Sequence, residues 1–139
     1  MSRREALLRR WFEMWLIKED RGILDLFTED AVYIESWGPM YTGNRQIRHW
    51  FDEWNRRGTV VRWDIQQFFH WEEQTVAAWI FQNEMADGTR EAFEGLSLVR
   101  WTPEDRISFL QEFGCNLHRY DPYREGETPR FRDEAIRWF

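Results

Sequence analysis

Hydrophobic positions recur with two different periods along this chain, and the change between them divides it. In the first third the spacing is helical. After the pair "SRRE", in which Ser2 and Glu5 form a capping box, Leu7, Leu8, Trp11, Met14 and Trp15 fall on one face of a predicted helix. A polar break, "KEDRG", gives Asp20 as the cap of a short second helix, "RGILDLF", that buries Ile23, Leu24 and Phe27. Strict alternation then predicts a short strand in "AVYIESW", with Ala31, Tyr33, Glu35 and Trp37 on one side and Val32, Ile34 and Ser36 on the other. A Gly38-Pro39 turn and a short "MYTG" lead into a third helix, Asn44 to Arg57, where Ile47, Trp50, Phe51 and Trp54 stand at i, i+3, i+4 and i+7.

From Thr59 the period is 2. "TVVRWDIQQFFHW" and "QTVAAWIFQNEMA" are two long strands joined at Glu72-Glu73, and Asp87-Gly88 signals a hairpin into "TREAFEGLSLVRW". "TPED" turns the chain into a last strand, "RISFLQEFGCNLH". Segregated helices and strands define an α+β domain: three helices with one short strand among them, then a four-strand antiparallel meander. A strongly curved sheet wrapped around the helices makes a cone with an internal pocket. The domain is expected over 1–118. Residues 119–139 form an extension whose short helix, with Phe131, Ile136, Trp138 and Phe139 as an apolar stripe, packs on the domain or on a partner subunit. His118, Tyr120 and Tyr123 place this extension near the cone mouth as a lid or clasp.

Composition sharpens this picture at one point. Ten Trp and eleven Phe in 139 residues exceed what a plain core of this size needs, and imply a second apolar surface, a pocket or a subunit interface. A net charge of −6 with Arg and Glu interleaved argues against nucleic acid as a partner. No apolar run is long enough to span a membrane, and the charged amphipathic N-terminus is not a secretion signal. The single cysteine, Cys115, forms no intrachain disulfide and fits a reducing, cytoplasmic setting. His49, His70 and His118 are scattered over different elements without metal-ligand spacing, so no metal site is expected. With no phosphate loop or nucleophile elbow in the sequence, no nucleotide cofactor and no Ser-type hydrolysis are expected either.

The order of elements, together with "RRWFEMW…GILDLFTEDAVYIE", "YTGNRQIRHWF" and "ADGTREAFEGLSLVRWTPEDRISFLQEFG", resembles the NTF2-like superfamily over roughly Arg9 to Asn116. The likeness is to its SnoaL-like and ketosteroid-isomerase-like branches. This superfamily mixes isomerases, cyclases and dehydratases with non-catalytic binding modules, so fold alone does not select among them. Set against the ketosteroid isomerase pattern, Glu35 falls where that family carries its catalytic Asp base, Trp11 at the oxyanion-hole Tyr and Ser97 at the protonated Asp. The base type is kept. Both acidic donors are replaced by groups that donate hydrogen bonds without being strong acids.

The same placement points Phe93, Gly95, Ser97 and Val99 inward on one long strand and Phe109, Gln111 and Phe113 inward on the last. Across the hairpin, Ile80, Gln82 and Glu84 are expected to face the same cavity. Trp11, Trp15, Tyr33, Glu35 and Trp37 complete it from the helices and the first strand. Trp63 joins unless a bulge near Gln66-Gln67 reverses that strand. Two readings of Glu35 stay open: a rim carboxylate paired with an arginine, or a pocket carboxylate acting as base or ligand contact. Glu84 is likewise either a second cavity acid or an outward ion-pair partner. Leu96, Leu98 and Leu110 are expected on the outer sheet face, which a second copy would cover. The expected function is binding of a small, partly apolar organic molecule in the cone. The chemistry, if any, is cofactor-independent isomerisation, cyclisation or dehydration; the alternative is a non-catalytic ligand-binding or dimerisation module.

Overall fold

The computed structural model describes residues 2–132. Helix α1 spans Arg3–Ile17, opened by the Ser2 hydroxyl accepting from the Glu5 amide at 3.2 Å and closed by Lys18 in the left-handed conformation. A single turn, α2 (Ile23–Leu26), follows, with the Asp20 carboxylate accepting from the Gly22 and Ile23 amides at 2.8 Å each. Then come β1 (Phe27–Ile34), β2 (Met40–Thr42), α3 (Asn44–Arg57) and four long strands: β3 (Gly58–Trp71), β4 (Gln74–Met85), β5 (Arg90–Trp101) and β6 (Ile107–Asn116). The helical periodicities bury most of what they predict. Leu8, Trp11, Met14 and Trp15 of α1, joined by Phe12, and Ile47, Trp50 and Phe51 of α3 enter one core, while Leu7 and Trp54 pack against it partly buried.

The strands form one curved, open sheet in the order β2-β1-β6-β5-β4-β3. The β3–β6 meander is antiparallel as expected, but β1 lies parallel to β6, so the sheet is mixed. Register shifts between Val60 and Arg62, Ile65 and Gln67, and Arg100 and Trp101 mark bulges, which bend strands and tighten their twist. Helices α1 and α3 pack against β3 and β1 in the resulting concavity. The corner that launches β1 is tied down by Asn44 and Arg106, both of which donate to the Leu24 and Phe27 carbonyls.

Two local events set which residues face inward, and both differ from simple alternation. A two-residue Asp87-Gly88 loop would pair Gln82 with Phe93. Instead the loop is three residues, Ala86 to Gly88, with Gly88 at φ 91° and the Met85 amide donating to Thr89 O at 2.8 Å. This pairs Phe81 with Phe93 and Asn83 with Glu91. A one-residue slip flips every side chain. Ile80, Gln82 and Glu84 therefore point outward, Glu84 towards Arg90. On β6 the ladder passes from Trp101–Ile107 to Arg100–Phe109, skipping Ser108. Beyond that bulge Leu110 and Glu112 turn inward, while Phe109, Gln111 and Phe113 turn outward. Phe109 lies under the Arg100 guanidinium, and Leu110, expected outside, is fully buried.

Past β6, the described residues 117–132 contain turns but neither helix nor strand. Arg119 pairs with Glu94, and Phe131 is exposed. Of the short helix expected in "FRDEAIRWF", Phe131 and Arg132 are described and are not helical, and the rest lies outside the described residues.

Candidate functional site

Between the helices and the concave sheet lies a cavity of about 600 Å³. Its helix wall is Trp15 of α1 with Trp50, Trp54 and Arg57 of α3. The sheet wall runs from Val60 and Trp63 on β3 through Trp79, Phe81 and Asn83 on β4. Glu91 and Phe93 of β5 and Glu112 of β6 continue it, and Glu35, Trp37, Pro39 and Tyr41 form the rim.

Glu35 is placed by the residues just after β1. Its amide donates to Pro39 O at 2.9 Å and its carbonyl accepts from the Gly38 amide at 3.1 Å, where Gly38 takes φ 118°. This tight turn swings Tyr41 back over the carboxylate, and its hydroxyl donates to Glu35 Oε2 at 2.6 Å. Burial raises the Glu35 pKa, opposed by hydrogen bonds from Tyr41 and Trp37 and by the more distant charge of Arg57. Arg57 is itself engaged by both Glu53 oxygens, at 2.6 and 3.0 Å. Among the described residues Glu35 has no salt bridge.

Glu112 is the larger departure from ordinary behaviour. Burial, reinforced by repulsion from Glu35, pushes its carboxyl up to about 8, and only a hydrogen bond with Tyr33 works the other way. At neutral pH this group holds its proton, so a carboxylic acid stands beside the Glu35 carboxylate in the cavity wall. Tyr33 is fully buried behind them, and its hydroxyl accepts from Trp11 Nε1 at 3.4 Å. Desolvation and the neighbouring acids raise the Tyr33 phenol well above its ordinary value, keeping it a neutral donor.

Of the residues singled out in the sequence, Trp15, Glu35, Trp37, Trp63 and Phe93 line the cavity. Trp11, Tyr33 and Ser97 are fully buried behind its wall and act through others. Ser97 accepts from Trp79 Nε1 at 2.9 Å and so fixes the ring that forms the cavity floor. That ring also needs Gly95, where a Cβ would stand 2.7 Å from the Trp79 edge and 2.2 Å from Phe113 O. Ile80, Gln82, Glu84, Phe109, Gln111 and Phe113 face away, for the register reasons given above. Sequence alternation missed Glu112, although Ile107 and Leu110, apolar at a spacing of three, carry the signal of the bulge between them.

The Trp15 and Trp63 indole N–H groups are buried without a hydrogen-bond partner. Both rings stand edge-to-face with neighbours, Trp15 on Phe51 and Trp54 and Trp63 on Trp79 and Phe81, so these groups lie among aromatic π-systems. Among the described residues, no three His, Cys, Asp or Glu side chains converge closely enough to hold a metal ion. None of the helices there is long and apolar enough to cross a membrane.

A helix-lined cone with an acid at the end of its first strand defines a class, and comparison with known proteins places the chain within it. The SnoaL-like domain family matches residues 8–109, and the chain belongs to that family. No curated protein matches the sequence. Solved structures share the fold at low identity. A protein of ketosteroid isomerase-like fold from Catenulispora acidiphila, crystallised with trimethylamine, has a TM-score of 0.66 at 19% identity, covering 80% of this chain and 85% of that one. An NTF2-like protein of unknown function from Burkholderia pseudomallei has a TM-score of 0.68 at 12% identity, covering 83% and 92%. TerC, co-crystallised with polyporic acid, has a TM-score of 0.64 at 11% identity, covering 82% and 92%.

Proposed function

We propose that the cavity binds a small, partly apolar organic molecule and that Glu35 moves a proton on it, in a cofactor-independent isomerisation, cyclisation or dehydration. The observation that carries this reading is a carboxylate on the cavity wall, raised in pKa by burial and held by a tyrosine rather than by an arginine. A carboxylate locked to arginine is a poor base; one lifted towards neutrality is a useful one. In this reading Glu35 takes a proton alpha to a ligand carbonyl. The protonated Glu112, oriented by Tyr33, donates a hydrogen bond to the oxygen that gains charge. This puts the acidic donor on β6, whereas the sequence resemblance places the oxyanion donors at Trp11 and Ser97, neither of them a strong acid.

The test is solvent-deuterium uptake at the alpha carbon of cyclohex-3-en-1-one, followed by proton NMR with the purified chain. Wild type is expected to accelerate exchange, and Glu35→Gln to lose on the order of 10²-fold or more of that acceleration. Equal exchange by the two proteins removes Glu35 from the chemistry. Wild-type binding without any acceleration supports the non-catalytic binding module instead. The same proposal takes the outer sheet face as the contact with a second copy of the chain.

A further inference from the structure

Granting that the cavity is the ligand site, we infer that its ligand carries a positively charged, alkylated nitrogen, seated among the tryptophan faces and the carboxyl groups of Glu35, Glu91 and Glu112. The inference starts from an imbalance of charge. Of the three acidic side chains that line the cavity, Glu112 keeps its proton at neutral pH, which leaves Glu35 and Glu91 against one basic side chain, Arg57, and that guanidinium is spent on both oxygens of Glu53. None of the three acids forms a salt bridge among the described residues, and the charge of Glu91 repels that of Glu35. Like charges gathered at one cavity and left uncompensated disfavour an anionic ligand and favour a cation.

The walls narrow the kind of cation. Nine aromatic rings line the cavity among the described residues, five of them tryptophans other than Trp37 at the rim. Ring faces carry negative quadrupolar charge, and tryptophan is the strongest partner for a cation. A bare metal ion does not suit this site, because among the described residues no three His, Cys, Asp or Glu side chains converge to hold one. A cation whose charge is spread over methyl groups suits both features. It buries apolar surface against Trp54, Trp63 and Trp79 while its field reaches carboxyl groups that it does not contact directly. A cavity of about 600 Å³ holds such a group with several further carbons attached.

The experiment uses an isosteric series on the full chain: choline, its neutral analogue 3,3-dimethylbutan-1-ol, and the anion 3,3-dimethylbutanoate, with binding read by calorimetry and by tryptophan fluorescence. Choline is expected to bind at least about tenfold more tightly than the neutral alcohol, and the anion more weakly than either. Glu91→Gln is expected to weaken choline severalfold and to leave the neutral alcohol unchanged. If the alcohol binds as tightly as choline, the charge inference falls while the cavity stands as a ligand site. If choline does not bind at all, the charge inference also falls, and the deuterium-exchange test with its neutral ketone judges the cavity separately.

Discussion

At the scale of single residues, the two cavity acids set how the fold responds to pH. The Glu112 carboxyl is pushed up to about 8 from an ordinary value of 4.5, so the folded chain keeps a proton that the unfolded chain releases. A raised acid pKa makes stability fall as pH climbs from the unfolded towards the folded value, after which the penalty is constant. Glu112→Gln keeps the shape and an acceptor for Tyr33 but has no charge to bury. Its stability relative to wild type is expected to be near zero at about pH 4 and to grow to roughly 1–4 kcal/mol in its favour at about pH 8.5. Denaturant melts at both pH values check this, and a gap that does not change with pH removes Glu112 as a buried acid. Glu35, also raised, shows the same sign, so Glu35→Gln is expected to be at least as stable as wild type at neutral pH even where function is lost. A clear loss of stability for Glu35→Gln at about pH 8 would mean an ion-paired carboxylate, whose removal costs about 1–3 kcal/mol.

At the scale of elements, the helices were legible and the faces of two strands were not. Helix α3 runs over Asn44–Arg57, where its apolar spacing puts it, because a 3.6-residue stripe carrying Trp50 and Phe51 has only one way to be buried. The period-2 strands were equally recognisable as strands. Their inward faces, however, depend on counts that alternation does not contain: three residues rather than two in the loop before β5, and one residue extra at Ser108. Each moves a whole strand by one side chain, which is why alternation points Gln82 rather than Glu112 into the cavity. Strand β5 kept its predicted face, and Gly95 on it makes a sharp test. Alanine there meets the Phe113 carbonyl oxygen at 2.2 Å and the Trp79 ring at 2.7 Å, and backbone does not yield as a flexible side-chain end does. Gly95→Ala is expected to destabilise by about 1–3 kcal/mol and, by displacing Trp79, to weaken ligand binding as well. A thermal melt unchanged from wild type would show that β5 and β6 are further apart than this packing requires.

At the scale of the whole molecule, the helices among the described residues occupy the concave side of the sheet and leave the other side uncovered, apart from the tail where Arg119 meets Glu94. Val76 and Leu98 are register partners there, Leu96 pairs with Phe113 beside them, and both Leu96 and Phe113 are exposed. Four long strands present a face of about 19 Å by about 33 Å, from a spacing of ~4.8 Å and a rise of ~3.3 Å per residue. That footprint is comparable to the ~800 Å² that each partner contributes to a stable complex. A face of this kind suits its own copy, because a two-fold axis places the same leucines opposite one another. Sedimentation at micromolar concentration is then expected to give about twice the chain mass of 17.3 kDa. Leu98→Glu, which sets like charges across that axis without touching the cavity, is expected to return the species to the single-chain mass while keeping ligand binding. A wild-type monomer with Leu98→Glu unchanged would leave the outer face as ordinary solvent-exposed surface and end the two-copy reading.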